Sequence, residues 1–111
     1  MALTKTIILN NGVELTNAYI KISKIEYDNH STYSSTAIIH INIFKDKNAR
    51  DTRKPEVTKC VYKVGGGIFT TYFSLNVLSQ DGINIISQAY EYLKTLNYFE
   101  NAIDIIDDKE V

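Results

Sequence analysis

The sequence predicts an α+β domain, mainly antiparallel β in a sheet or small sandwich of about six strands, with one C-terminal amphipathic helix packed on it and a short C-terminal arm. Three observations lead there. Apolar and polar residues alternate over most of residues 1–78, a turn dipeptide separates the first two such runs, and a helical periodicity takes over only after residue 81. The 111 residues form one domain, 1–111, divided into a strand-rich stretch over 1–78, a helix over about 82–96 and an arm 97–111. A domain of this length buries roughly 60–70% of its unfolded surface and so holds a true core.

The first strands lie at 3–9 and 13–15, paired as a hairpin through Asn11-Gly12, because both residues tolerate the positive φ of a tight turn. In the next run Ala18, Ile20 and Ile22 share a face, and Ile25 and Tyr27 continue it one residue out of phase, which predicts a bulge at Ser23-Lys24. The turn DNHSTYSS leads into TAIIHINIF, where Ala37, Ile39, Ile41 and Ile43 form a core face and Ile38, His40, Asn42 and Phe44 a partly exposed one. Residues 45–56 hold five basic and three acidic side chains with the single proline, Pro55, a pattern that predicts a solvated loop.

After VTKCVYKV come three consecutive glycines, Gly65-Gly66-Gly67, and then IFTTYFSLNVL, whose Phe69, Thr71, Phe73, Leu75 and Val77 fall on one face of a long central strand. The glycines are therefore expected to form a hairpin tip or bent corner. A phosphate cradle needs a glycine turn opening into a helix with a Lys and a Ser or Thr just inside, and neither such pattern is readable across 61–73. The helix is expected from a cap at Asp81 to Leu96, with Ile83, Ile85, Ile86, Ala89, Tyr90, Tyr92, Leu93 and Leu96 on its apolar half and Asn97 ending it. Beyond it residues 98–106 read as an extended arm and 107–111 as a solvated acidic end.

Composition narrows the function classes. The chain is 44% hydrophobic and 23% charged, which separates it from disordered sequences. Twelve basic and thirteen acidic residues give a formal charge of -1, so no overall field draws it to nucleic acid or an anionic membrane. Eight tyrosines fit strand packing as well as contact surfaces. The single cysteine, Cys60, has no partner for an internal disulfide or a two-thiolate metal pair. No run approaches the ~20 apolar residues of a membrane span, and the first residues lack the pattern of a secretory signal, so synthesis and folding in a cytoplasm are expected.

Chemistry-bearing residues do not group. His30 falls in a turn, and His40 on a strand lacks neighbours at metal-ligand spacing. Cys60 has no histidine nearby, and STYSS lacks the glycines of a nucleophile elbow. Asp104, Asp107 and Asp108 lack the glycine and ligand spacing of a calcium loop. The expectation is a protein that is not an enzyme, with no catalytic, cofactor-binding or metal-binding residue, no cofactor and no small-molecule substrate.

LTKTIILNNGVELTNAYIKI at the start and QAYEYLKTLNYFENAIDI near the end, about a third of the chain, resemble small proteins encoded among the tail and baseplate genes of phages and prophages of low-GC Gram-positive bacteria. The resemblance implies a structural subunit of a tail, baseplate or phage-tail-like particle, made in the host cytoplasm and carried in the virion. Its partners would be other virion proteins and copies of itself, with residues 1–9 or 98–106 joining neighbours as added strands. An alternative is an assembly chaperone or binding module for tail-fibre or baseplate proteins that does not stay in the particle. A small enzyme using Asp or His is the third class considered, with no substrate class to attach to it.

Overall fold

The computed structural model describes residues 2–9, 11–28 and 35–105, and these form an α+β fold around one five-stranded antiparallel sheet. The strands are β1 (Ala2–Ile8), β2 (Glu14–Asp28), β3 (Thr36–Phe44), β4 (Thr58–Gly65) and β5 (Ile103–Ile105), in the order β4-β3-β2-β1-β5. Four helices intervene: α1 (Lys47–Asp51), α2 (Gly66–Phe73), α3 (Leu75–Leu78) and α4 (Ile85–Leu93).

The hairpin forms where the Asn-Gly pair predicts it, with Ile8 opposite Glu14 and Ile7 opposite Leu15. Only Gly12 enters the left-handed region, at φ 86. Asn11 contributes through its side chain instead, its Oδ1 accepting from Val13 N–H at 3.1 Å. The predicted bulge is also present: the β2–β3 register slips between Ile22 and Lys24. That extra residue keeps one face apolar on both sides of the slip, so Leu3, Ile20 and Ile43 form one cross-strand row, Ile22, Ile41 and Cys60 the next, then Ile25, Ile39 and Tyr62, then Tyr27, Ala37 and Val64. The bulged backbone is held from outside the sheet, because Ile22 N–H donates to Tyr90 Oη of α4 at 2.9 Å.

Where glycine was expected to turn a hairpin, the chain leaves β4 and enters a helix. Gly66 takes φ 59, the left-handed conformation that redirects the backbone, and α2 starts there. The expected sixth strand is thus absent among the described residues, and the strand-rich stretch ends at Gly65 rather than near residue 78. IFTTYFSLNVL supports two periods at once. Phe69 and Phe73 stand at helical spacing as well as sharing one parity of the alternating pattern, and the sheet's apolar face needs covering. Phe69 and Phe73 fill that need: Phe73 is fully buried, and Tyr27 Oη donates to its carbonyl at 2.8 Å. Thr70 and Thr71 tolerate the helix by donating back to the Gly66 and Gly67 carbonyls at 3.2 and 2.9 Å. Ser74, extended at ψ 155, ends α2 and caps α3.

The amphipathic helix is shorter than 82–96. Its cap is Asn84, whose Oδ1 accepts from Ser87 N–H at 2.8 Å while Ser87 Oγ accepts from Asn84 N–H at 3.3 Å, a reciprocal capping box. Asp81 lies in the preceding turn. The helix ends at Lys94 in ordinary right-handed geometry, and the left-handed asparagine is Asn101 at φ 66, not Asn97. Ala89, Tyr90, Tyr92 and Leu93 are buried, Ile85 and Leu96 are half-buried, and Ile86 is exposed.

Within the described residues the arm ends in β5, which adds to β1 with Ala2 opposite Ile105 and Thr4 opposite Ile103. Its remaining expected residue, Ile106, lies outside them, as do residues 107–111. β5 covers the outer edge of β1 at Ala2–Thr4, while Lys5–Ile8 have no strand beyond them among the described residues. The loop 45–56 contains α1, started by Asp46 Oδ1 accepting from Ala49 N–H at 2.7 Å. Arg50 of α1 stands 5.9 Å from the Tyr19 ring centre, and Tyr19 is fully buried although it points away from the main core.

Candidate contact site

The sheet has two different faces. The core face is covered by α2, α4 and the turn carrying Phe99, which is fully buried. Away from α1, the opposite face is polar. Its cross-strand rows are Lys21, Asn42 and Lys59, then Lys24, His40 and Val61, then Glu26, Ile38 and Lys63. The alternation of β3 carries this directly, since every second residue of TAIIHINIF faces outward.

His40 has a partner here that spacing could not reveal. Its Nε2 donates to Glu26 Oε2 at 2.8 Å, and Lys24 stands 3.6 Å from the other carboxylate oxygen. The hydrogen bond from His40, aided by the Lys24 charge, holds the Glu26 carboxyl below its usual range. The group is open to solvent and reads as a surface charge cluster. His30, Asp107 and Asp108 lie outside the described residues. Asp104 is engaged by Lys94, whose Nζ is 3.2 Å from Oδ2, and no set of three or more His, Cys, Asp or Glu able to hold a metal occurs among the described residues.

The glycine junction has a strand before it and a helix after it, the order a phosphate cradle requires, contrary to the strand expected from the sequence. Its hydroxyls are turned elsewhere. Thr70 and Thr71 donate into the helix backbone, and the residue ahead of them is Phe69, buried in the core. The junction serves to place α2 over the sheet.

The outer edge of β4 combines the features of a contact site. Among the described residues no strand pairs with that edge. Outward of the core it presents Lys59, Val61 and Lys63 at successive same-face positions, and Val61 is 60% exposed. Lys59 bonds Glu56 at 3.2 Å across a solvated surface. On the core side a groove of about 540 Å³ lies against the strand, lined by Val57, Cys60 and Tyr62 with Leu9 and Tyr98. Asn11, Thr58 and Lys59 line it too. Burial pushes the Cys60 thiol and the Tyr62 and Tyr98 hydroxyls upward, which leaves all three neutral at physiological pH.

No protein-family model, curated protein or solved structure matches this chain. No helix among the described residues is long and apolar enough to cross a membrane.

Proposed function

We propose that this chain is a structural subunit of a phage tail, baseplate or phage-tail-like particle, acting through protein–protein contacts. The resemblance of its two end segments supplies the biological setting. The observation that carries the contact role is the outer edge of β4, with which no strand pairs among the described residues and where Val61 is 60% exposed between two lysines. Such an edge offers a row of backbone donors and acceptors, and alternate side chains of an added strand meet the groove on one side and the lysines on the other. Other virion proteins and further copies of the chain are the partners in this reading; it involves no nucleic acid, membrane, small-molecule substrate or cofactor, and no reaction. The chain is made in the host bacterial cytoplasm and carried into the particle.

Mass spectrometry of purified particles from a strain carrying the gene tests this reading. The chain is expected at a fixed copy number relative to other tail components. Its presence in induced cells and absence from intact particles would select the assembly-chaperone alternative, and its absence from any complex with tail or baseplate proteins would refute both.

A further inference from the structure

The edge of β4 also indicates what kind of segment it takes. Building on the contact-subunit reading, we infer that β4 receives an extended segment of a different protein, in which two acidic residues four positions apart flank an apolar centre.

The spacing comes from the strand itself. Lys59, Val61 and Lys63 point to one face, so a strand laid antiparallel along β4 brings every second side chain beside them. An acid opposite each lysine and an apolar residue opposite Val61 match this row in charge and in hydrophobicity. The intervening side chains point to the other face, towards the groove of about 540 Å³ bordered by Val57, Cys60, Tyr62 and Tyr98. Asn11 and Thr58 add polar atoms beside this apolar surface, so apolar or amphipathic side chains suit those positions in the partner. The backbone of the partner completes the ladder that β3 begins on the inner side of β4.

The same lysines select against a second copy. If β4 paired with β4 of another molecule about Val61, Lys59 would face Lys63 at both ends, and like charges directly opposite are destabilising. Pairing about Cys60 would avoid that clash but would set the two thiols side by side and place Lys59 opposite Val61 and Lys63 opposite Val57, with no acid across the seam. Lysine on a sheet edge deters self-association, and here it gives the edge a sign preference too.

The test uses the intact chain and three capped nonapeptides. The first carries aspartates at its third and seventh positions around three apolar residues, the second has lysines in their place, and the third is the aspartate peptide with N-methyl groups on alternate residues to block main-chain pairing. Binding is read by fluorescence anisotropy. The aspartate peptide is expected to bind, to weaken as salt is raised, and to outbind the lysine peptide by about tenfold or more. The N-methyl peptide is expected to lose binding. Because Lys59 and Lys63 are exposed, the K59E/K63E chain keeps its fold by circular dichroism and reverses the peptide preference.

Equal binding of the two charged peptides, undiminished binding of the N-methyl peptide, or no binding at millimolar concentration would each overturn the inference. A Cys60–Cys60 crosslinked dimer formed under mild oxidation would overturn it in favour of a second copy. Failure of the peptides with the chain present in particles removes only this partner chemistry; peptide binding with the chain absent from particles removes the virion role and leaves the edge as described.

Discussion

Replacing Tyr90 with phenylalanine removes the acceptor that α4 offers to the backbone of the sheet. Tyr90 is 1% exposed, and its hydroxyl accepts from the Ile22 N–H at 2.9 Å, at the residue where the β2–β3 register slips. A bulge leaves a backbone group without its ladder partner, and here the phenol supplies one. Phenylalanine keeps the ring and removes the acceptor. An unsatisfied buried N–H costs about 1–3 kcal/mol, and because Ile22 is half-buried, water recovers some of this, giving about 1–2 kcal/mol. At an unfolding entropy of about 2.1 cal/mol/K per residue, a chain of 111 residues loses about 4 °C of Tm for each kcal/mol. Tyr90→Phe is therefore expected to lower Tm by about 4–9 °C in differential scanning calorimetry. Tyr92→Phe is the control. Tyr92 lies on the same helix and packs edge-on to Tyr72 at 5.7 Å, and its hydroxyl makes no hydrogen bond to the described residues, so its change should stay within about 0.5 kcal/mol. A Tyr90→Phe loss below about 1 °C, or equal to that of Tyr92→Phe, would refute the reasoning.

Further tests address the corrected helix boundaries and the arm. Asn84→Ala should cost about 1 kcal/mol in urea denaturation by removing the capping box, whereas Asp81→Ala should be neutral; the reverse order would restore Asp81 as the cap. Gly66→Ala should destabilise by about 1 kcal/mol through its φ of 59 alone, since a Cβ there meets nothing within 4 Å, while Gly67→Ala, with ordinary φ and equal space, should stabilise slightly. Hydrogen bonding to Glu91 and to Asp104 raises the Lys94 pKa above the ordinary lysine value of 10.5. A raised basic pKa contributes stability that is fully present below 10.5 and lost as pH climbs through the folded value. The Tm gap between the native chain and Lys94→Met should accordingly be constant near neutrality and shrink in strong alkali, with a gap unchanged at both ends counting against the Lys94 anchor of β5. Cys60 should react with iodoacetamide at pH 8 more slowly than a free cysteine, because its raised pKa and partial burial both reduce the thiolate on offer.

Local pattern alone was enough to specify the regions of the fold where one periodicity has no rival. The alternation of Ala37, Ile39, Ile41 and Ile43, the turn at Asn11-Gly12 and the phase slip at Ser23-Lys24 each demand one arrangement, because a one-residue error would send every apolar side chain into water. The apolar half of the C-terminal helix was legible for the same reason, although its cap was not: Asp81 and Asn84 are both competent, and the side chain three residues after Asn84 decides between them. The stretch from Gly65 to Leu78 carried two readings of equal local merit. Phe69 and Phe73 suit a strand by parity and a helix by spacing, and only the uncovered apolar face of β3 and β4 makes the helix the lower in energy. Strand order was likewise beyond local signals. That β5 covers Ala2–Thr4 of β1 while no described strand pairs with the outer edge of β4 follows from how the chain returns across the sheet after α4, and the pairing of His40 with Glu26 exists only once β2 and β3 are laid side by side.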